Sequence, residues 1–321
     1  MTGVKARRAA KQVLPDFVPP CLAKLGTVVP EGPQWVHEIK FDGYRLQVHI
    51  EHGQVLLRTR TGLDWTARFG SLAAALQKLE VKSALIDGEA IVEDEAGAPS
   101  FSALVEALKS NQPGRIVFVA FDLLHLDGRD LTGWPLGERK ELLRKCLQND
   151  KARVRYSDHI SGDGTKMFSE VCKLGLEGLI SKRIDQPYRS GRNGDWRKTK
   201  CILTDEFVIV GYLDSTAVQE SIGALAMGFF KGTKLIYAGR VGTGFNRQTA
   251  ADLWRILQPL RTGKSPLSSP LDAAQRNGVK WVAPKLVAQL EYRTLTADGL
   301  LRHASFKALR EDIPATNVRH P

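Results

Sequence analysis

An α+β fold in two unequal domains is predicted by two observations. From Trp35 to about Cys201, strand-like runs (WVHEIKF, YRLQVHI, QVLLRT, ALIDGEAIV, RIVFVAFDLLHL) alternate with helix-like stretches (FGSLAAALQKL, SFSALVEALKS, LGERKELLRKCLQ, MFSEVCKLG). After Cys201 the runs become short, β-rich and broken by glycine (TDEFVIVGYL, ALAMGFFKG, TKLIYAGRVG, KLVAQLEYRTLT), with one helix-like interruption, QTAADLWRILQPL. That second pattern suits a small antiparallel barrel. The boundary falls near residue 203, giving domains 13–203 and 204–321. Ahead of them residues 1–12 carry Lys5, Arg7, Arg8 and Lys11 without an acid and read as a basic, flexible arm.

The 321 residues are 43% hydrophobic and 25% charged, which excludes a disordered or fibrous chain. A formal charge of +11, divided as +6 before residue 201 and +5 from there on, favours an acidic partner such as nucleic acid or a polyphosphate for both halves. No apolar run reaches the roughly 18 residues of a membrane-spanning helix, and MTGVKARRAAKQV lacks the apolar core of a signal peptide, so no membrane is expected and a cytoplasmic location is. Four cysteines without a CxxC argue against structural zinc, and they read as small core or surface residues rather than disulfides.

Several short segments carry chemistry. His37-Glu38-Ile39-Lys40-Phe41-Asp42-Gly43-Tyr44-Arg45 puts a lysine at the end of an apolar strand, followed at once by a glycine turn and a strand bearing an arginine. Asp87-Gly88-Glu89 places two carboxylates on one face of a strand. Glu177 opens another strand, and Lys198 and Lys200 share a face of a third. The densest basic stretch, SKRIDQPYRSGRNGDWRKTK, holds Lys182, Arg183, Arg189, Arg192 and Arg197 around Trp196 and reads as a working surface.

Each group alone has a bland explanation, but together they supply what nucleotidyl transfer needs. A lysine nucleophile must be neutral, yet with an ordinary pKa of about 10.4 only about one molecule in a thousand is neutral near pH 7.4. Nearby cations and a bound metal are expected to depress that pKa. Carboxylates then hold a divalent ion against the triphosphate, and the remaining lysines stabilise charge building on the α-phosphate.

The order of these segments resembles the covalent nucleotidyltransferases, and among them the ATP-dependent DNA ligases of the bacterial end-joining ligase D type. The resemblance runs through LPDFVPPCLAKL, HEIKFDGYRL, LDWTARF, DGEAIV, FDLLHLDGRDL, PLGERKELL, EGLISKR, YRSGRNGDWRKTKC, DEFVIVGY, GRVGTGF, VKWVAPKLVAQLEY and LRHASFKALRED. It implies an ATP-grasp-like nucleotidyltransferase domain of antiparallel sheets and helices, then a C-terminal OB-fold β-barrel that turns toward and away from the first domain.

By the same resemblance Lys40 accepts AMP, Glu38 reads the adenine amino group, and Arg45 orders nucleotide and phosphates. Glu89 contacts the ribose with Asp87 beside it, Phe121 stacks on adenine, and Lys198 and Lys200 contact the α-phosphate. Asp87, Glu89 and Glu177 form the metal set, for Mg²⁺ or Mn²⁺. Arg60, Arg183 and Arg192 are placed at DNA, Arg60 at the 5′-phosphate of a nick. Arg302 and Arg310 orient pyrophosphate, although Ile313 stands where a lysine is expected, with Lys307 a possible substitute. The implied reaction is sealing of nicked duplex DNA by a monomer, in double-strand-break repair by non-homologous end joining in the bacterial nucleoid. Ku and polymerase or nuclease modules are the implied partners. An RNA ligase or capping-type guanylyltransferase shares the K-x-D-G chemistry, and a non-catalytic DNA-binding module is the remaining alternative.

Overall fold

In the computed structural model, which describes residues 13–95, 97–110, 113–147, 153–201, 203–296 and 298–319, the chain forms two compact units, Met1–Cys201 and Ile202–Pro321. The basic arm expected at 1–12 lies outside the described residues.

The first unit runs β1 (Lys24–Leu25), β2 (Trp35–Ile39), β3 (Tyr44–Glu51), β4 (Gln54–Thr59), α1 (Gly70–Leu76), β5 (Ser83–Ile91), α2 (Phe101–Lys109), β6 (Val117–Leu126) and β7 (Arg129–Asp130). It continues with α3 (Leu136–Cys146), β8 (Val154–Tyr156), β9 (Ile160–Ser161), α4 (Gly164–Lys173), β10 (Gly178–Arg183) and β11 (Trp196–Lys200). Two sheets result. One has the order β4-β3-β5-β6-β7, with β8 parallel beside β6; the other has the order β1-β11-β10-β2-β9.

Strand β6 explains why the first sheet is central. Its sequence, VFVAFDLLHL, has no polar alternation, and all ten residues are buried, as a strand covered on both faces requires. Its two polar side chains are Asp122, which receives Arg139 of α3 through both carboxylate oxygens (2.7 and 2.9 Å), and His125. Ser100 caps α2 and Asp163 caps α4, each accepting a backbone N–H three residues on. Where β5 meets β6 the register shifts between Leu85 and Ile86 and again between Asp87 and Gly88. Such irregularities re-aim side chains, and here they fall on the carboxylate-bearing segment.

The second unit contains β12 (Leu203–Asp214), β13 (Ile222–Lys231), β14 (Lys234–Val241), α5 (Arg247–Leu257), α6 (Ala273–Arg276), β15 (Lys280–Trp281), β16 (Val287–Tyr292), β17 (Thr294–Leu295), β18 (Leu301–Arg302) and β19 (Ser305–Leu309). Its sheet has the order β14-β13-β12-β16-β19, with β15 also on β12 and β17-β18 as a separate pair. Phe207, Ile209, Leu225, Met227, Leu253 of α5 and Phe306 belong to one apolar core.

The barrel expected here is not closed by strand pairing among the described residues. After β14 the chain passes through Gly242-Thr243-Gly244, and the Thr243 carbonyl accepts the Phe306 N–H (3.0 Å). Gly244 has φ +91°, and a Cβ there would lie 2.2 Å from the Phe306 carbonyl oxygen. The approach to β19 is thus made by a glycine loop rather than a ladder.

The cysteine expectation is overturned. Cys172 and Cys201 form a disulfide, with Cα atoms 5.3 Å apart, while Cys21 and Cys146 are free. The cause is tertiary: α4 packs against β10, which brings its C-terminal end beside the residue that follows β11. A spacing of 29 residues gives no hint of it. In denatured, unreduced protein an alkylating reagent should label Cys21 and Cys146 and spare the other two, and labelling of Cys172 and Cys201 would contradict the bridge.

Candidate active site

Lys40 follows β2 directly, and its backbone N–H donates to the Gly178 carbonyl (2.9 Å), which pins it beside the start of β10. Two glycines permit this crowding. A Cβ on Gly43 would lie 2.2 Å from the Ala90 carbonyl oxygen, and one on Gly178, where φ is +144°, would lie 2.1 Å from that of Thr199. The glycine of K-x-D-G is therefore fixed by a close backbone approach to β5.

The Lys40 ammonium donates to Glu177 Oε2 in a partly buried ion pair. Burial works against the charge on Lys40, but the Glu177 carboxylate, then Asp42 and Glu89, outweigh it and hold the pKa above the ordinary lysine value. Burial raises the Glu177 carboxyl, against the opposing charges of Lys40 and Lys200. Lys40, Asp42, Glu89, Glu177 and Lys200 thus form one electrostatic cluster. The expectation that cations depress the Lys40 pKa is corrected: its nearest charges are carboxylates, and the resting side chain is held as an ammonium. Lys198 and Lys200 lie in register with Ile180 and Gly178 of β10, two residues apart on β11.

A second cluster surrounds Glu38, two residues before Lys40 and paired in register with Ile180 of β10. Glu38 is buried, with Lys140 on Oε1 (2.7 Å) and with Lys182 and the Ser157 hydroxyl on Oε2 (both 2.9 Å). Burial opposes its charge, but Lys140 and then Lys182 win and keep the carboxyl below its ordinary value. The Lys182 ammonium lies 4.4 Å from the Phe121 ring centroid and 4.2 Å from that of Trp196. Phe121 and Ile180 belong to the same apolar cluster, a surface on which a flat base could stack.

Arg45 joins these regions. Its guanidinium takes both oxygens of Asp87 (2.9 and 2.6 Å) and the Cys21 carbonyl (2.8 Å), and it lies 5.2 Å from the Phe121 centroid. Tyr188 donates to Asp87 at 2.8 Å. Asp87 is therefore corrected as a metal ligand: it is 1% exposed, with both oxygens occupied. Glu89, one step along β5 and opposite Arg45 in register, is half-buried.

The remaining expected residues are dispersed. Arg60 follows β4 and is half-buried, Arg192 is exposed, and Arg183 pairs with Asp185 (2.7 Å). In the second unit Arg302 is exposed on β18. Arg310 is buried and bound through two nitrogens to Asp312 (2.8 and 2.7 Å), so its expected grip on pyrophosphate is corrected to an internal ion pair in this arrangement. Ile313 packs against the apolar core, where a lysine would be costly, and Lys307 pairs with Glu291 at 2.6 Å.

Sequence reasoning missed Lys140, Ser157 and Tyr188, and treated Lys182 as surface. One signal was available for Lys140: in LGERKELLRKC the buried positions of α3 are Leu136, Arg139, Lys140 and Leu143, a helical stripe in which two members are charged. Charge on a core-facing stripe marks a buried ion pair.

Comparison with known proteins identifies the family. A family profile described as ATP dependent DNA ligase domain matches residues 20–200, and one described as ATP dependent DNA ligase C terminal region matches 219–313. The multifunctional non-homologous end joining protein LigD of Pseudomonas aeruginosa is 40% identical over 98% of this chain and 38% of its own length. The LigD DNA repair protein of Mycobacterium tuberculosis is 40% identical over 94% of this chain and 40% of its own. This chain thus spans about two fifths of the length of these relatives. A solved structure of mycobacterial DNA ligase D complexed with ATP and MES is 38% identical, with a TM-score of 0.68 over 95% of this chain and 99% of that one. The ligase domain of M. tuberculosis LigD gives 0.52 over the same shares. With profile matches through both units and likeness to LigD along nearly its whole length, the chain belongs to the ATP-dependent DNA ligases.

Proposed function

We propose that the chain seals nicks in duplex DNA by three phosphoryl transfers through Lys40. Nζ attacks the α-phosphorus of ATP and pyrophosphate leaves. The AMP then passes to the 5′-phosphate of a nick, and attack by the 3′-hydroxyl joins the strands and releases AMP. The observation that carries this reading is the partly buried ion pair of Lys40 with Glu177, with Asp42 and Glu89 acting on Lys40 and Lys200 acting on Glu177. Glu177 Oε2 accepts the Lys40 hydrogen bond and carries a burial-raised pKa, so it is placed to take the proton as Nζ becomes nucleophilic. Lys198 and Lys200 supply positive charge for the α-phosphate, and alignment contributes most of what remains.

Among the described residues no group of three His, Cys, Asp or Glu could cage a metal. Magnesium, however, is commonly held by one or two carboxylates together with substrate phosphates, and Glu177 and Glu89 are oxygen donors of that kind. Bound there, Mg²⁺ or Mn²⁺ would offset triphosphate charge.

Arg60, Arg183 and Arg192 are assigned to DNA phosphates; at Arg183 a phosphate must compete with Asp185. Work in non-homologous end joining is inferred from the names of the relatives, and Ku and polymerase or nuclease modules are partners that the ligase D resemblance implies. The test is sealing of a nicked duplex with a 5′-phosphate in the presence of ATP. Across a salt series, log affinity for that duplex should fall by about 0.9 per phosphate contact against log salt. A flat response would count against a backbone-gripping enzyme, and failure to seal by an adenylated protein would count against the DNA substrate.

A further inference from the structure

The Glu38 cluster holds more positive charge than pairing requires. Lys182 alone would neutralise the carboxylate, and the Ser157 hydroxyl completes Oε2, yet α3 delivers a second lysine to Oε1. All three charged side chains are at most 2% exposed. A water-excluded site with two ammoniums on one carboxylate is an expensive way to stabilise a fold. Its geometry suggests another use. The Lys140 ammonium donates both to Glu38 Oε1 and to the Ser157 carbonyl (2.9 Å), while the Ser157 hydroxyl reaches Oε2, so the two residues bracket the carboxylate and fix its plane. The Ser157 backbone is itself tied to β6 through the Ala120 carbonyl (2.8 Å). The Tyr156 ring, 4.6 Å from Lys140 Nζ, closes the far side.

A carboxylate offers about four acceptor positions. Three are taken: one on Oε1 by Lys140, and two on Oε2 by Lys182 and Ser157. The position left over is on Oε1, in a direction set by Lys140, and the backbone carbonyl and ring of Phe121 lie beside Lys182. Resting on the ligase reading and on the role its family resemblance implies for Glu38, which is to read the adenine amino group, we propose that Lys140 is a positioning residue for base selection. It aims one acceptor of Glu38 at an exocyclic amino group and rejects a base that presents an oxo group there. Lys140 makes this contribution through Glu38 and does not touch the nucleotide. The depressed pKa that Lys140 helps impose on Glu38 keeps the acceptor ionised.

The test compares Lys40 adenylation, read by intact mass and rate, with ATP, GTP and purine riboside triphosphate, which lacks the 6-amino group. The wild type is expected to prefer ATP over both. Lys140→Met keeps the apolar stem and removes the ammonium; it should raise the KM for ATP about tenfold, with a much smaller change in saturating rate, and leave the KM for purine riboside triphosphate nearly where it was. The preference then collapses. A lesion that merely loosens the domain would weaken both nucleotides alike, and that result overturns the proposal, as does an unaltered preference in a folded variant. Lys140→Gln, a neutral donor of similar reach, is the second variant and should fall between; if neither variant folds, Lys140 is structural and the proposal fails. A wild type that forms the adduct equally well from ATP and purine riboside triphosphate overturns it too, leaving the ligase reading intact. A wild type that forms no adduct, when shown not to be already adenylated, overturns the ligase reading itself.

Discussion

Lys40→Ala is expected to abolish covalent labelling by ATP and, with it, every sealing event that begins from ATP. The effect is total rather than graded because the side chain is the proposed covalent acceptor, not one of several groups sharing a task. Lys182 and Lys140 cannot stand in: their ammoniums are buried and bound to Glu38. Lys200 is close enough to act on Glu177, but it projects from a different strand, and its replacement should slow the transfer without moving the adduct. The variant should still fold, because Lys40 is 20% exposed and its loss frees Glu177 to take up solvent or a cation. Labelling that persists on another residue of Lys40→Ala would refute the assignment.

Glu177→Gln separates chemistry from stability. Replacing the carboxylate of a partly buried ion pair by a neutral amide should cost at most ~3 kcal/mol of folding free energy, whereas loss of the charge acting on the reacting nitrogen is expected to slow adenylation by on the order of 10²–10³-fold. The pH profile adds an independent reading. Glu177 is the charge that most raises the Lys40 pKa, so kcat/KM for adenylation by the wild type should climb with pH throughout the neutral and mildly alkaline range, as the neutral amine becomes populated. In Glu177→Gln that charge is gone, the Lys40 pKa falls, and the rising limb moves to lower pH. A profile that stays in place would show that another group holds the proton, and a large loss of Tm with little loss of rate would assign Glu177 to the fold.

What the sequence made legible were residues whose chemistry follows from local pattern. Lys40 at a strand end before a glycine turn, Glu177 at a strand start and the Lys198/Lys200 face are each set by a few neighbouring residues, and the fold carries Lys40, Glu177 and Lys200 into one cluster. The partners of Asp87 were illegible for the opposite reason. Asp87 and Glu89 look equivalent in a period-two pattern, but Arg45 lies on the neighbouring strand and Tyr188 is 101 residues away, and only their convergence removes Asp87 from the metal set. The burial of Lys182 was hidden by its company, since the arginines around it in sequence are mostly exposed while the strand turns Lys182 inward. The disulfide depends on how α4 packs, and the unclosed sheet on Gly242-Thr243-Gly244, where glycine runs read as strand breaks without saying what they approach.

The account turns on whether Lys40 carries the nucleotide. Intact mass and peptide mapping of the protein, its starting mass recorded first, after incubation with Mg²⁺ and separately with ATP, GTP or NAD, test this most directly. The predicted result is an AMP adduct on Lys40 from ATP alone that is discharged when nicked DNA is added. A GMP adduct would point to capping-type chemistry, and a Lys40 that begins unmodified and stays so with all three nucleotides would contradict the account.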